Sequence, residues 1–251
     1  NPPLAFPDKV KEVSDLLSNA KKPVLVVGGQ VHISARSRKL VEQVARAHNL
    51  PVLCTYEHQD IISNDNLHYA GELGLRPPEP IRKNAFEADL VLVVGHRFNG
   101  VPNMAYKFPS SRQTFIHVVP DPNTIGKVFR TDMGIVADSE NFLDQLSKFS
   151  NNNTNNERNE WVKLCHYRYL NNDATITPRH ANDGLDFAHF IDGLGKIAPE
   201  NSIITNDAGN FTSWMHHRFP FKSTMKLIGS EIGAMGMGIP AGIAAALRFP
   251  D

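Results

Sequence analysis

The stretch Val24-Leu25-Val26-Val27-Gly28-Gly29 decides the fold class of this chain. Four apolar and mostly β-branched residues in a row predict a short strand that is buried on both faces, as the strands of parallel sheets are. The glycine pair predicts a tight turn into a helix, and Leu40, Val41 and Val44 recur downstream at helical spacing. Together these features predict a βαβ unit within a parallel sheet.

The same pattern of strand, turn and helix recurs along the chain. Further strands are predicted at 51–54, 90–94, 115–119 and 134–136, and further helices near 8–17, 81–88 and 139–146. Strands that alternate with helices imply right-handed crossovers and a doubly wound parallel sheet. The fold class is therefore predicted to be α/β.

A polar segment of low complexity, Asn151-Asn152-Asn153-Thr154-Asn155-Asn156, divides the chain. It has nothing to bury and is typical of a linker. Beyond it we predict a helix at 187–197, strands at 202–205 and 225–228, and an Ala-rich helix that runs to Leu247. A unit with about two strands has little core, so we expect it to be incomplete.

The expected domain organisation follows from this division. Residues 1–20 are a linker and helix, residues 21–150 a central domain, residues 151–184 a second linker and helix, and residues 185–251 the start of a second α/β domain. Because Asn1 is not an initiator Met, we expect the chain to be the middle of a longer protein.

The composition excludes several classes of function. The 26 basic and 26 acidic residues balance, without a long basic run, so nothing favours nucleic acid or an anionic membrane as a partner. No apolar run approaches the roughly 20 residues of a membrane helix, and Asn1-Pro2-Pro3-Leu4 does not read as a signal peptide. Cys54 and Cys165 are predicted to be reduced thiols, and a cytoplasmic location is expected.

Three motifs follow strands of the predicted central domain, where doubly wound sheets bind ligands. Gly28-Gly29 lets a nucleotide diphosphate approach backbone N–H groups, although a plain tight turn explains the pair equally well and the G-x-G-x-x-G fingerprint is absent. Arg97 is suited to hold a phosphate or stack on a flat ring, or else is a surface arginine. Asp121-Pro122 forms a rigid turn, which is a common structural device and indicates a function only together with the other motifs.

Two further motifs lie in the second unit. In Asp207-Ala208-Gly209-Asn210, the glycine permits close approach of an anion and Asn210 offers a side-chain donor. In the run from Gly233 to Pro240, alternating glycines ahead of a helix expose bare backbone to a ligand, or serve close helix–sheet packing. Neither a nucleophile–base pair nor a zinc-ligand spacing is visible, so no catalytic residue and no metal ligand is predicted within the chain.

The motifs occur in an order that resembles the thiamine-diphosphate enzyme superfamily, which includes acetolactate synthase, oxalyl-CoA decarboxylase and glyoxylate carboligase. The resemblance covers nearly the whole chain and depends on the succession of segments more than on any one of them. The segments are Ala20-Lys21-Lys22-Pro23-Val24-Leu25-Val26-Val27-Gly28-Gly29, Ala88-Asp89-Leu90-Val91-Leu92-Val93-Val94-Gly95-His96-Arg97-Phe98, His117-Val118-Val119-Pro120-Asp121-Pro122 with Ile125-Gly126-Lys127, Asp207-Ala208-Gly209-Asn210, and Gly233-Ala234-Met235-Gly236.

The resemblance implies a function and a site. Such enzymes have a pyrimidine-binding, a central and a diphosphate-binding domain, and this chain corresponds to the second and the start of the third. The resemblance implies that Met235 lies beneath the bend of thiamine diphosphate, that Gly233 and Met235 contact its aminopyrimidine, and that Gly209 and Asn210 lie by its diphosphate. The activating Glu and the Mg²⁺ ligands would lie outside this chain.

It further implies a carboligase or decarboxylase that acts on a 2-keto acid or an acyl-CoA and works as a homo-oligomer on a small-molecule substrate. Gly28, Gly29, Arg97 and Asp121 become candidates for contacts with FAD or ADP in the central domain. A non-catalytic nucleotide-binding module or degenerate subunit is the alternative. A Rossmann oxidoreductase is disfavoured by the failed glycine fingerprint.

The sequence departs from the acetolactate synthase pattern at three places. The loop of the central domain ends in Gln30 and not in a third Gly. Those enzymes usually show Arg-Phe-Asp-Asp-Arg, where this chain has Arg97-Phe98-Asn99-Gly100-Val101. They often show His where this chain has Phe211, directly after Asn210. These three differences leave open both the identity of the substrate and whether FAD is bound.

Overall fold

The computed structural model describes residues 2–32, 34–98, 100–150, 156–172 and 184–250. A six-stranded sheet is formed by β1 (Pro23–Val27), β2 (Val52–Thr55), β3 (Tyr69–Leu73), β4 (Leu90–Val94), β5 (Thr114–Val119) and β6 (Met133–Val136). Its strand order is β3-β2-β1-β4-β5-β6, and every adjacent pair is parallel. The predicted doubly wound α/β fold is confirmed.

Helices cover both faces of this sheet. They are α1 (Pro7–Asn19), α2 (Gly29–His32), α3 (Ala35–His48), α4 (Glu79–Phe86), α5 (Ser139–Leu146) and α6 (Asn156–Leu170). Helices α1, α3 and α5 pack on the face that presents Leu25 and Val27, and α4 and α6 pack on the face that presents Val24 and Val26. Strand β1 is thus fully buried on both sides, which is why its sequence is apolar at consecutive positions.

Helix α6 belongs to the packing of the central sheet. Trp161 is 3% exposed and donates from Nε1 to the carbonyl of Pro23, 3.0 Å away. The buried guanidinium of Arg158 donates to the carbonyls of Leu17 and His48, at 2.8 and 3.0 Å. Because these carbonyls lie in the last turns of α1 and α3, Arg158 satisfies acceptors that have no partner within their own helices. Of the predicted Asn-rich linker, residues 151–155 lie outside the described residues, and Asn156 begins α6.

A second, smaller α/β unit follows. It contains α7 (Phe187–Ile197), β7 (Ile203–Thr205), α8 (Thr212–Arg218), β8 (Lys226–Ile228) and α9 (Gly238–Arg248), and its two strands are parallel. Its core is formed by Ile191, Phe219, Phe221, Met225 and Leu227, with Trp214 packed against it. The predicted second α/β unit is confirmed, with two strands among the residues that the structure describes.

Buried polar contacts join the two units. Leu227 donates its N–H to Asp60 Oδ2 at 3.0 Å, and Phe221 donates its N–H to Asn64 Oδ1 at 2.9 Å. Arg38 of α3 donates to the carbonyl of Met225 at 3.0 Å. The loop after β2 therefore fixes β8 and the segment before it against the central unit. No described helix is long and apolar enough to cross a membrane.

Candidate functional site

A cavity lies where the strand order of the central sheet reverses. From β1 the sheet extends through β2 on one side and β4 on the other, so the carboxyl ends of β1 and β4 flank a crevice of the kind that binds ligands in doubly wound folds. The cavity has a volume of about 500 Å³. It is lined by Gly29, Gln30, Tyr56, Gly95, His96, Arg97, Gly100, Val101, Pro102, Glu231 and Ile232. Glu231 and Ile232 come from the second unit, so both units form the walls.

The Gly28-Gly29 pair is packed against protein side chains. A Cβ on Gly28 would lie 2.5 Å from the Cβ of His96, and a Cβ on Gly29 would overlap the carboxylate of Glu231 and lie 3.0 Å from His58 Nε2. Packing against the Cβ of His96 therefore explains the glycine at position 28, whereas a Cβ at position 29 would require the half-exposed side chain of Glu231 to move. Contact of the pair with a diphosphate stays a prediction, and Glu231 already lies over the backbone that such a group would approach.

His96 is held as a neutral imidazole. Its Nδ1 accepts a hydrogen bond from the N–H of Phe98 at 2.8 Å, and its carbonyl accepts from His117 Nε2 at 2.9 Å. Burial, and next the nearby His58, lower the pKa of His96 to about 4. A neutral ring that already accepts at Nδ1 carries its proton on Nε2, so His96 offers a donor and no positive charge.

A groove of about 470 Å³ brings Arg97 and Asp121 together. Its lining residues are Arg97, Tyr106, Asp121, Asn123, Thr124, Lys127 and Val128. Asp121 accepts from the N–H of Asn123 at 3.0 Å, and this bond is the main cause that lowers the pKa of its carboxyl. The groove thus combines two cations, an aromatic ring and an ionised carboxylate. Asn99, which belongs to the departure noted after Arg97, lies outside the described residues.

The four residues predicted for thiamine diphosphate lie in the loops after β7 and β8. Gly209 and Asn210 follow β7, Gly233 and Met235 follow β8, and all four are exposed. Because β7 and β8 are parallel neighbours, both loops emerge from the same edge of the sheet. Met235 is 84% exposed and is flanked by Gly233 and Gly236, whose φ values of 70° and 87° favour glycine.

Asp207 connects these two loops, although its sequence motif had suggested no role for it. Its carboxylate accepts from the N–H of Gly236 at 2.8 Å and from the N–H of Gly238 at 3.0 Å. Backbone hydrogen bonds, first among them the one from Gly238, hold the pKa of Asp207 below its ordinary value. The loop with Met235 is therefore tied to the end of β7.

A buried cluster of charged and polar groups lies beneath the loops, and sequence reasoning missed it. His216 Nε2 lies 3.3 Å from Glu57 Oε2, and His216 Nδ1 lies 3.5 Å from Glu72 Oε1. Asn206 donates from Nδ2 to Glu57 Oε1 at 3.1 Å. All four residues are at least nine-tenths buried. The cluster joins the central unit, which supplies both carboxylates, to α8 and the end of β7.

Burial sets the charge state of this cluster. Desolvation raises the pKa of Glu72 to about 7, although His216 opposes the rise. Burial also lowers the pKa of His216, but the carboxylates of Glu72 and Glu57 outweigh it and raise the pKa overall. Glu57 has a left-handed φ of 62°, which is unusual for a residue other than glycine. Because a buried carboxylate and a left-handed backbone are both energetically costly, the loop after β2 is a candidate functional segment.

The profile of a protein family described as "Thiamine pyrophosphate enzyme, central domain" matches residues 10–146, which is more than half of the chain. The chain belongs to the thiamine pyrophosphate enzymes. The match covers β1 to β6 and ends at Leu146, the last residue of α5, so the six-stranded sheet is the central domain of this family.

Curated relatives extend the similarity over both units. The chain is 28% identical over 256 residues to the protein described as "Probable acetolactate synthase large subunit" of Methanocaldococcus jannaschii, with 98% of this chain and 42% of the relative covered. It is 28% identical over 248 residues to the "Acetolactate synthase isozyme 1 large subunit" of Escherichia coli, with 97% and 42% covered. The "Acetolactate synthase large subunit" of Lactococcus lactis is 26% identical over 250 residues, with 98% and 42% covered. The chain spans about two fifths of the length of these curated relatives.

Proposed function

We propose that this chain supplies the central domain and the first cofactor-binding loops of a thiamine-diphosphate- and Mg²⁺-dependent carboligase or decarboxylase that acts on a 2-keto acid or an acyl-CoA. The observation that carries the proposal is the exposed Met235 between two left-handed glycines, at the carboxyl edge of a parallel sheet in a member of this family. The proposal includes a cytoplasmic location, a small-molecule substrate and assembly into a homo-oligomer.

The loop geometry fits the cofactor. A Cβ built on Gly233 or Gly236 would meet no atom within 4 Å, so both glycines border open space instead of packed protein. Met235 projects from the turn between them and is free to support a bent ligand from below. Bare glycine backbone on either side lets the flat aminopyrimidine ring approach the main chain closely.

Each residue then has a distinct task. Met235 would enforce the bent shape of the bound cofactor, Gly233 and Met235 would offer backbone groups to its aminopyrimidine, and Gly209 and Asn210 would lie by its diphosphate. Bound thiamine diphosphate supplies the electron sink for cleavage or formation of a bond beside a carbonyl. The described residues contain no group of three His, Cys, Asp or Glu side chains arranged for a metal ion, and we assign the Mg²⁺ ligands to residues outside this chain.

The test uses the full-length protein with Met235→Ala. Because Met235 is 84% exposed, we expect its loss to leave the fold intact. The same change should lower turnover by about tenfold or more, since orientation of the reacting groups is lost. The matched control is Ile197→Ala, which removes an apolar side chain that is 79% exposed in the same unit and lies outside the cavity, and it should leave turnover unchanged. Unchanged turnover in Met235→Ala would count against the placement of thiamine diphosphate on this loop.

A second candidate function is nucleotide binding without catalysis, with FAD or ADP as the ligand. The groove with Arg97, Lys127 and Tyr106 favours it, because two cations and an aromatic ring suit a phosphorylated nucleotide. Titration with ADP and measurement of flavin fluorescence test it. Arg97→Ala is expected to weaken binding, whereas Arg112→Ala, an exposed arginine outside the groove, is expected to have no effect.

A further inference from the structure

Three amide groups converge on the carboxylate of Asp207. Gly236 donates its N–H to Oδ1 at 2.8 Å and to Oδ2 at 3.1 Å, Gly238 donates to Oδ2 at 3.0 Å, and Ala208 donates to Oδ1 at 2.8 Å. Two of these donors, Gly236 and Gly238, lie on either side of Met237, and Gly236 directly follows Met235. The position of Met235 is therefore set by an acceptor from another loop, since its own side chain is exposed.

The backbone of Asp207 is held by hydrogen bonds through the buried Asn206. Its N–H donates to Asn206 Oδ1 at 3.0 Å, and Asn206 Nδ2 donates to Glu57 Oε1 and Oε2 at 3.1 and 3.3 Å. Asn206 is 5% exposed and Glu57 is 3% exposed, so water does not compete for these bonds. A continuous series of hydrogen bonds runs from the central unit through Asn206 to Asp207 and on to the Met235 loop.

Glu57 is itself held in place. The imidazole Nε2 of His216 lies 3.3 Å from its carboxylate, and Gly229 has no Cβ at the place where Glu57 Oε2 lies. Glu57 has a left-handed φ of 62°, and its side chain contacts Asn206 and His216 of the second unit. An imidazole, an amide and a glycine without a Cβ thus all meet one buried carboxylate, which fixes its position beneath the loop.

We propose that Asp207 is the positioning residue for Met235, and that Glu57 of the central unit fixes Asp207 through Asn206. Positioning of the loop stands on the geometry above, and its consequence for thiamine diphosphate rests on the proposed function. A residue that only caps α9 would affect stability. A positioning residue affects ligand affinity beyond its effect on stability.

The experiment compares Asp207→Ala and Asp207→Asn with Asp186→Ala. Asp186 is a matched control because it accepts from the N–H of Ala188 at 2.9 Å at the start of α7, in the same unit, and does not contact the Met235 loop. Amide hydrogen exchange of residues 229–238 is measured in this chain, and affinity for thiamine diphosphate is measured in the full-length protein. Urea unfolding of each variant gives the loss of stability.

We expect Asp207→Ala to raise the amide exchange rates of Gly236 and Gly238 by about tenfold or more. This is the size of effect expected when hydrogen bonds to a charged group are lost. Its affinity for thiamine diphosphate should fall by a similar factor, whereas Asp186→Ala should change neither quantity at a comparable loss of stability. Asp207→Asn keeps one acceptor oxygen and should be intermediate. Glu57→Gln keeps an acceptor for Asn206, so its exchange rates and its affinity for thiamine diphosphate should be closer to those of wild type than the values for Glu57→Ala.

The outcomes separate the two proposals. Unchanged exchange in Asp207→Ala overturns the positioning role. Wild-type affinity in Asp207→Ala, in a protein that binds thiamine diphosphate, also overturns it. If exchange rises as expected but the wild-type protein does not bind thiamine diphosphate, the proposed function fails and the positioning of the loop stands.

Discussion

The carboxylate of Glu231 lies 2.9 Å from the imidazole Nε2 of His58, and both groups lie over the backbone of Gly29. The pair joins the second unit to the loop after β2 across the crevice at the reversal of strand order. It places a negative charge where the diphosphate of a nucleotide would meet the Gly28-Gly29 turn. A diphosphate at that point would therefore lie next to the carboxylate of Glu231.

Removal of the charge of Glu231 should raise the affinity of the crevice for nucleotides. We expect Glu231→Gln to raise the affinity for ADP by about fivefold at low salt, which corresponds to roughly 1 kcal/mol for a partly exposed charge. The effect should shrink as ionic strength rises. Glu200→Gln is the control, because that carboxylate is exposed and lies outside the crevice. Equal affinities of wild type and Glu231→Gln would show that Glu231 does not oppose the ligand.

Substitution by alanine should change the free energy of unfolding in opposite directions at two glycines of the second unit. In Gly229→Ala the new Cβ would overlap the buried carboxylate of Glu57, so we expect a loss of about 1–3 kcal/mol in the free energy of unfolding. In Gly193→Ala, within α7, the Cβ meets nothing within 4 Å, so we expect a gain of about 0.5–1 kcal/mol. Urea unfolding measures both, and the prediction fails if the two variants shift the midpoint in the same direction.

The buried carboxylate of Glu72 predicts a dependence of stability on pH. Burial raises its pKa to about 7 in the folded protein, above the ordinary value of 4.5. Folding therefore favours the protonated form, and the stability that it contributes is complete below pH 4.5 and is lost as pH rises through 7. His216, whose pKa is also raised, contributes a slope of the same sign.

Glu72→Gln imitates the protonated carboxyl and should remove its part of that slope. We expect the variant to exceed wild type in free energy of unfolding by on the order of 2 kcal/mol at pH 8, with a smaller difference at pH 5. His96 and His217, whose pKa values burial lowers to about 4, destabilise both proteins below pH 6.5 and cancel in the comparison. A difference that does not vary between pH 5 and pH 8 would contradict the assignment.

The outward face of α9 should promote self-association. Ile239, Ile243 and Leu247 recur at helical spacing and are 78%, 57% and 80% exposed, and contiguous apolar surface of this kind favours aggregation or docking. We expect Ile243→Lys to reduce the fraction of associated protein seen by size-exclusion chromatography with light scattering. Ala244→Lys adds the same charge beside this face, so an equal benefit from both would point to net charge as the cause.

The central sheet could be predicted from the sequence because its strands are buried on both faces. Strand β4 was predicted at its exact bounds, since LVLVV is apolar throughout and Gly95 ends it. Strand β3 was missed, because YAGEL contains a glycine and a buried Glu72 in place of a continuous apolar run. Cys54 and Cys165 are free, as predicted, and the structure adds that both are buried.

Residues of the candidate site could be predicted only where they belong to a short sequence motif. Gly233 and Met235 stand out because glycines alternate before a helix, and Arg97 and Asp121 stand out because each follows a strand. The cluster of Glu57, Glu72 and His216 has no such signal, since its members are far apart in sequence and meet only through the packing of two units. Adjacent histidines, His216-His217, gave no indication of which imidazole would be buried between carboxylates.

The chain has two tryptophans, and the fold assigns one to each unit: Trp161 is buried against the central sheet, and Trp214 packs on the core of the second unit. Each indole is therefore an intrinsic optical reporter of one unit. In Trp161→Phe the fluorescence follows the second unit alone, and in Trp214→Phe it follows the central sheet. Coincident transitions in the two variants would mean that the bonds through Asp60, Asn64 and Glu57 fuse both units into a single cooperative body.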